Sequence, residues 1–382
     1  MRGIWLAFAA MATLCLAGTD VDAAGDAAAA PAPGPHDRAD ATKIVSDMRR
    51  IVNPKGVERL EKVRIGGIDQ WLNIRGQDRR NPVLLMIHGG PGFVSMPLSW
   101  YFQRGWEEYF TVVQWDQRGS GKTYTSNDPV KIAPGMTPER MYQDADEVIL
   151  WLRKEFGKDK IFVLGHSWGS SIGLTVAKRH PEWLHAYIGM AQMTNSPESE
   201  RRGWQFALEH AEADHNEQAI HDLRALAPYA VDGKPLPLKD LYLQRKWLDY
   251  YGGAIAWKRD FKVESAAVRL SPEYTDADVR SFGDGNEFSE QYLLAQAIMT
   301  DFSTVTTLKC PLILFSGRHD YNVSSTVGAE WFERVQAPSK RLVWFESSAH
   351  EIMDEEPGKL LLSLVEYARP IAQRAGDVPI GK

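Results

Sequence analysis

Continuous apolar runs and amphipathic stretches alternate along most of this chain. The apolar runs cover residues 82–88, 110–115, 160–164, 185–190, 312–316 and 341–345. Uninterrupted runs of this length are typical of strands that are buried on both faces of a sheet. Between them, residues 137–156 begin with a Thr-Pro pair suited to a helix start and end before Gly157, and residues 170–180 also have helical spacing. The alternation predicts a mostly parallel sheet with helices on both faces.

Two further patterns lie in the first third of the chain. Residues 63–65 and 70–74 are joined through Gly66 and Gly67, which predicts a β-hairpin. This hairpin brings the predicted sheet to eight strands. Residues 97–109 are expected to be helical.

The strand pattern stops after the fourth apolar run and returns at the fifth. In between, apolar residues recur at helical spacing, as Trp204, Ala207 and Ala211 do, and residues 241–251 are crowded with aromatic side chains. These patterns predict a helical block inserted into an α/β domain. The expected division is a core in two parts, 46–195 and 302–382, around a helical cap at 196–301.

The N-terminal segment has a different character. Arg2 precedes an apolar run over residues 4–18, and small residues follow it, so residues 1–23 are predicted to be a secretory signal peptide. Residues 24–45 are rich in Ala, Pro and Asp, which predicts a flexible linker. The mature chain is then periplasmic or secreted, with no stable membrane insertion. A retained N-terminal anchor is the alternative.

The charge balance argues against several partner classes. The chain has 44 Lys and Arg against 50 Asp and Glu, a net charge of −6, with both signs interspersed. Because there is no basic stripe, no nucleic-acid partner is expected. The spacing of His, Cys and Asp nowhere matches a metal-ligand motif, and no metal or cofactor is expected.

Residues 165–169, with the sequence Gly-His-Ser-Trp-Gly, follow a predicted strand and precede a predicted helix. This context is typical of a nucleophile elbow, a tight strand-to-helix turn that exposes a serine at its apex. Glycines on both sides suit a turn that leaves little room for side chains. Ser167 is therefore the candidate nucleophile, and the alternative is a tight turn with a solvated serine.

A serine nucleophile needs a histidine base, and the histidine needs a carboxylate partner. In sheets with this elbow the chain order is serine, acid, histidine. His350 and Asp320 each follow a predicted late strand, which places them at the same sheet edge as Ser167. His319 is adjacent to its would-be acid, and Asp284, the competing acid, has no strand before it.

An acyl-transfer site also needs donors for the developing oxyanion. The stretch 88–92, His-Gly-Gly-Pro-Gly, follows a predicted strand, so the backbone N–H of Gly90 is one candidate. The N–H of Trp168 is the second. Residues 115–119, Trp-Asp-Gln-Arg-Gly, are expected to form a loop braced by an Asp–Arg pair.

Together these motifs resemble the α/β-hydrolase superfamily and, within it, the proline iminopeptidase group of serine peptidases. The matching segments are 88–92, 115–121, 165–170, 317–320 and 349–350. The resemblance implies an α/β-hydrolase core with a helical cap inserted after the sixth strand. It also implies a Ser167, Asp320 and His350 triad.

The resemblance further implies that cap glutamates hold the free amino group of the substrate. The acidic pattern of the group is not cleanly present in this chain. Candidates by position are Glu198, Glu200 and Glu209. The cap aromatic residues are expected to roof an apolar pocket for a small substrate; they are Trp204, Trp247, Tyr250, Tyr251 and Trp257.

The function expected from these residues is an exported aminopeptidase that removes an N-terminal proline, or another small residue, from short peptides through an acyl-enzyme. A carboxylesterase or amidase acting on a small acyl substrate keeps the same chemistry and stays open. A non-catalytic binding protein on the same scaffold is the third possibility.

Overall fold

The computed structural model describes residues 34–379; the predicted signal peptide and the first part of the predicted linker lie outside this range. Its sheet has eight strands. They are β1 (Val57–Ile65), β2 (Ile68–Gly76), β3 (Val83–Ile87), β4 (Thr111–Asp116), β5 (Ile161–His166), β6 (Leu184–Met190), β7 (Leu312–Gly317) and β8 (Lys340–Phe345). The spatial order is β1-β2-β4-β3-β5-β6-β7-β8. The pairings β1–β2 and β2–β4 are antiparallel and all others are parallel, which confirms the predicted eight-stranded, mostly parallel sheet.

The central strands of this sheet are buried on both faces, as β5 illustrates. Phe162 and Leu164 belong to the same buried cluster as Trp106, on one face. Val163 packs with Val148 in the cluster on the other face. Because successive side chains of a strand point to opposite faces, both kinds of position must be apolar.

Helices cover the sheet and form the cap. They are α1 (Arg38–Arg49), α2 (Ser99–Phe102), α3 (Gly121–Thr125), α4 (Pro129–Ile132), α5 (Pro138–Phe156), α6 (Trp168–Arg179), α7 (Ser196–Ala213), α8 (Glu217–Ala225), α9 (Leu238–Tyr250), α10 (Lys262–Ala267), α11 (Asp276–Arg280), α12 (Phe282–Ala297), α13 (Ser325–Arg334), α14 (Ile352–Glu355), α15 (Pro357–Ser363) and α16 (Arg369–Arg374). Helices α7 to α12 lie between β6 and β7 in the chain. Asn195 and Asp301 form an antiparallel bridge where this helical cap leaves and rejoins the core.

The predicted linker is wrong where it reaches residues 38–45, because α1 already begins at Arg38. Asp37 caps the helix by accepting a hydrogen bond from the N–H of Asp40. The side chain of Arg38 donates to the backbone carbonyl of Tyr274, and buried Arg49 pairs with Glu273. These contacts to the cap order a segment whose composition alone suggested flexibility.

The helix expected over residues 97–109 is also wrong. The segment consists of short turns, a 3-10 turn at Met96–Leu98, the four-residue α2 and a second 3-10 turn at Trp106–Glu108. The chain must bury both Phe102 and Trp106 against one face of the sheet. Between them, Gly105 packs so closely on Leu361 that an added Cβ would lie 2.6 Å from a methyl carbon. Tertiary packing thus overrides the local helical spacing.

No helix between residues 34 and 379 combines the length and the apolar character that crossing a membrane requires.

Candidate active site

Ser167 lies at the apex of the turn between β5 and α6. Its backbone has φ 52° and ψ −122°, which is unusual for a residue with a side chain. Both flanking glycines are required by close backbone contacts. An added Cβ would lie 2.4 Å from the carbonyl oxygen of Gly169 at position 165, and 2.1 Å from that of Ile87 at position 169. The strained serine at a crowded strand-to-helix turn is the geometry that the sequence pattern predicts.

His350 and Asp320 meet at the same sheet edge. Asp320 follows β7, His350 follows β8, and the imidazole Nδ1 donates a hydrogen bond of 2.9 Å to the Asp320 carboxylate. Asp320 also accepts from the N–H of Val323 at 2.9 Å. Burial alone would lower the pKa of His350, but the negative charge and hydrogen bond of Asp320 outweigh it, so the pKa is raised. This arrangement fixes the ring and leaves Nε2 with its lone pair.

Ser167 and His350 face a common cavity with two lobes. The core lobe, about 320 Å³, is lined by residues that include Ser167, His166, His350 and Glu351. The cap lobe, about 300 Å³, also reaches Ser167 and is lined by residues from α7, α9 and α12. The structure therefore brings the three predicted triad residues to one place, although they are far apart in sequence.

The two predicted oxyanion donors lie at the same cavity edge. Gly90 has φ 105° and lines both lobes. Trp168 is the first residue of α6, where backbone N–H groups have no partner within the helix. Within residues 34–379 neither N–H donates to another protein group. Both are thus available to a ligand, and the start of α6 favours negative charge.

The loop at residues 115–119 is braced differently from the prediction. Arg118 pairs with Asp144 on α5 at 2.8 Å, not with Asp116. Asp116 instead accepts from the N–H of Lys122 and the hydroxyl of Tyr274. The expected Asp–Arg pair exists, but its acid comes from α5, because Asp116 points towards the cap.

Two of the three candidate cap glutamates do not reach the cavity. Glu198 forms salt bridges with Arg201 and Arg202, and exposed Glu209 accepts from Gln205. The two residues lie about three full turns apart on α7 and therefore share a face, and neither lines the cavity at Ser167.

Glu200 does line the cap lobe. Its carboxylate already has partners, however, because it forms a partly buried ion pair with Arg245 and accepts a hydrogen bond from the hydroxyl of Tyr229.

The prediction that aromatic side chains of the cap cover the substrate pocket is also wrong for Trp204 and Trp247. Trp204 packs inside the cap and donates its indole N–H to the carbonyl of Leu223. Trp247 also packs inside the cap and donates its indole N–H to the carboxylate of Asp222. Both help to hold the cap helices together. The prediction is wrong for the other three aromatic residues too, because they line a separate depression that does not include Ser167: Tyr250, Tyr251 and Trp257.

Sequence reasoning missed the acidic side chains that do face Ser167. Asp249, on α9, lines the cap lobe, and its carboxylate has no hydrogen bond or ion pair in the described part of the chain. Burial raises its pKa to about 6, against the opposing charge of Arg245. Glu290, on α12, lines both lobes and accepts from Tyr242. Nothing in the local sequence distinguishes either acid from a solvated helix charge.

Comparison with known proteins identifies the family. The sequence profile of the alpha/beta hydrolase fold family matches residues 82–357. A Bacillus subtilis protein named "Probable aminopeptidase YbaC" is 31% identical over 323 residues, which cover 84% of this chain and 99% of that protein. The proline iminopeptidase of Saccharolobus solfataricus is 30% identical over 138 residues, 35% of this chain and 41% of that protein.

A solved structure gives the same result for the fold. A proline iminopeptidase-related protein of Thermus thermophilus superimposes with a TM-score of 0.57 at 20% identity, covering 85% of this chain and 99% of that one. The chain therefore belongs to the α/β-hydrolase family, is a hydrolase, and has proteins named aminopeptidase and proline iminopeptidase among its relatives.

Proposed function

We propose that this chain is an exported serine aminopeptidase that releases an N-terminal proline, or another small residue, from short peptides. One observation carries the proposal: the hydrogen-bonded pair of His350 and Asp320 opens onto the same cavity as the strained Ser167. The export half rests on the apolar run at residues 4–18 alone.

The reaction follows from these positions. The Ser167 hydroxyl oxygen attacks the carbonyl carbon of the scissile amide while His350 Nε2 takes its proton. The backbone N–H groups of Gly90 and Trp168 stabilise the oxyanion. The C–N bond then breaks, and His350 returns the proton to the leaving amine. Water, deprotonated by His350, releases the acyl group from Ser167.

Asp249 supports an aminopeptidase over a simple esterase. The carboxylate of Asp249 lies in the cap lobe and forms no ion pair in the described part of the chain, because Arg245 is paired with Glu200. An α-amino group has a pKa near 8, and the pKa of Asp249 is raised to about 6. Between these values the substrate amine is charged and Asp249 is ionised. We assign Asp249 the role of counter-charge for that amine.

The names of two relatives agree with this proposal. The Bacillus subtilis relative, aligned over nearly its whole length, is named as an aminopeptidase, and the Saccharolobus solfataricus relative as a proline iminopeptidase.

The first test compares prolyl and alanyl arylamides with an acyl ester of similar size. The wild type should cleave an arylamide, and Ser167→Ala should lower kcat by about 10⁴-fold or more. Ester turnover without amide cleavage would establish the esterase instead. Failure of the wild type to react with either substrate class or with a fluorophosphonate probe would favour a binding protein.

The second test addresses the amine. Asp249→Asn should lower kcat/KM for the arylamide by roughly tenfold or more, because a charged hydrogen bond is lost, and should leave an ester that lacks the amine unaffected. Glu209→Gln is the matched control on the outer face of the cap and should change neither. In the wild type, KM for the arylamide should rise as the pH falls through about 6. Equal losses on both substrates would remove Asp249 from amine binding.

A further inference from the structure

His166, His350 and Glu351 place three potential metal-ligating atoms around one point in the core lobe. One ligand atom from each residue lies within 4.8 Å of the others, and all three residues are buried. They come from the end of β5 and from the loop after β8. Their separation in the chain explains why no metal-ligand spacing is visible in the sequence.

The hydrogen bonds of the two imidazoles leave one nitrogen free on each ring. His166 Nε2 donates to the carbonyl oxygen of His350 at 3.0 Å, since a carbonyl can only accept. This leaves a lone pair on His166 Nδ1. His350 Nδ1 donates to Asp320, which leaves a lone pair on His350 Nε2. Metal-binding histidines show this pattern, in which the second ring nitrogen donates to an oxygen that orients the ring.

The third group is a carboxylate without a protein partner. Glu351 lines the core lobe, and within residues 34–379 its side chain makes no hydrogen bond or ion pair. Two imidazole nitrogens and one carboxylate oxygen, with an open side towards a cavity, form a donor set that suits Zn²⁺. Ligand atoms of a tetrahedral Zn²⁺ lie about 3.3 Å apart. Since the three ligand atoms already lie within 4.8 Å of one another, no separation has to shorten by more than about 1.5 Å to reach this geometry.

We propose that Zn²⁺ binds His166 Nδ1, His350 Nε2 and Glu351, and that this binding reversibly inhibits the enzyme. The metal occupies the His350 lone pair that would accept the Ser167 proton, so Ser167 stays protonated. The inhibition half of this proposal rests on the proposed serine-hydrolase function. The binding half does not depend on it.

Binding is tested on the full-length, untagged Ser167→Ala variant by titration calorimetry with ZnCl₂, and with Co²⁺ as a spectroscopic probe of tetrahedral coordination. We expect one tight Zn²⁺ per chain. His166→Asn and Glu351→Gln, each added to Ser167→Ala, should weaken that binding by about tenfold or more. His319→Asn is the matched control, a neighbouring histidine outside the set, and should bind Zn²⁺ as tightly as the parent.

Unfolding temperatures of all variants show whether each is folded. If one of the two ligand variants does not fold, the other decides the binding result. Absence of Zn²⁺ binding, or binding that the folded ligand variants leave unchanged, would overturn the proposal.

The inhibition half is tested on the wild type with buffered free Zn²⁺. Arylamide turnover should fall as Zn²⁺ rises and return on addition of a chelator. In Glu351→Gln, the Zn²⁺ concentration for half-inhibition, measured against that variant's own metal-free rate, should rise by about tenfold or more. Tight binding without inhibition would reject the regulatory role and keep the site. Absence of any turnover would contradict the proposed function, while the calorimetry would still decide whether the site exists.

Discussion

His350 depends on a single acceptor for its orientation. Its Nδ1 faces Asp320, and both side chains are buried, so no water competes for this hydrogen bond. The carboxylate holds the tautomer that leaves Nε2 free, and it stabilises the charged imidazole that forms during proton transfer. Asp320 should therefore contribute much more to turnover than to folding.

Asp320→Asn should lower kcat by about 10⁴-fold, because an amide at this position can donate to Nδ1 and favour the wrong tautomer. Asp284→Asn is the matched control, since Asp284 is exposed on α12 and is the acid that competes with Asp320 on sequence alone. It should leave kcat unchanged. Steady-state kinetics on both variants, with circular dichroism to show that they are folded, provides the measurement. Equal activity of the two variants would contradict the assignment.

Helix α6 packs closely against the sheet. Its first turn lies directly on β3, because Gly169 has no side chain and an added Cβ would meet the backbone oxygen of Ile87 at 2.1 Å. Backbone cannot rotate away as a side chain can. The position of Ser167 and the packing of α6 are therefore set by the same contact.

Gly169→Ala should lower the free energy of unfolding by at least 1–3 kcal/mol, the usual result of overpacking. Gly283→Ala, in α12, should have the opposite sign and raise it by up to about 1 kcal/mol. That site has open space within 4 Å, and alanine favours helix over glycine. Urea unfolding of both variants is the measurement. A Gly169→Ala protein as stable as the wild type would show that α6 can move away from β3.

Helix α1 joins the core to the cap through a buried charge. The guanidinium of Arg49 pairs with Glu273 at 2.7 Å and lies 3.7 Å from Glu107 of the core. All three side chains are buried. Removing the cation would leave buried Glu273 without a charged partner, whereas Glu107 would keep its ion pair with Arg75.

Arg49→Ala should therefore lower the free energy of unfolding by about 3–5 kcal/mol. The matched control is Lys43→Ala in the same helix, whose pair with Asp47 is exposed to solvent and should contribute little to stability. Chemical denaturation of the two variants gives the comparison. A small change in the free energy of unfolding for both variants would show that Arg49 does not stabilise the contact between the core and the cap.

Across the whole molecule, buried polar contacts tie the cap to the loops of the core. Tyr274 donates its hydroxyl to Asp116, and Lys122 forms a buried ion pair with Asp278 of α11 at 2.6 Å. Because these groups are inside the protein, their protonation couples stability to pH. Burial, only partly offset by hydrogen bonds from Tyr274 and Lys122, raises the pKa of Asp116 to about 7.

The raised pKa of Asp116 makes its contribution to stability decrease as the pH rises. With its pKa raised from the ordinary value near 4, folded Asp116 retains a proton between about pH 4 and 7 that the unfolded chain loses. Its contribution to stability is thus present below about pH 4 and is lost as the pH rises towards 7, by roughly 1 kcal/mol per unit. Asp116→Asn keeps an acceptor oxygen and cannot ionise.

Relative to the wild type, Asp116→Asn should therefore gain stability as the pH rises from about 4.5 to 7.5. Urea unfolding of both proteins across this range measures the difference. A difference that is independent of pH, or that shrinks as the pH rises, would contradict the raised pKa.

The elements and the candidate triad were predictable from sequence because their signals are local. Apolar runs, the Thr-Pro start and Gly157 end of α5, and the contact of Gly165 with Gly169 across the turn at Ser167 all involve residues that are close in sequence. Strand ends placed Asp320 and His350 at one edge, and the structure brings them together. Where several distant contacts compete with local spacing, as over residues 97–109 and at α1, the sequence interpretation was wrong.

The side chains that face the cavity were decided only by tertiary structure. Asp249 and Glu209 are both acids on cap helices, yet Asp249 lines the cavity at Ser167 and Glu209 is exposed to solvent. That difference depends on how α7 and α9 pack, which no local pattern records. The convergence of His166 and Glu351 on His350 likewise depends on β5 and the loop after β8 meeting across the sheet edge. Local chemistry determined which groups can react, and packing between distant segments determined which of them meet.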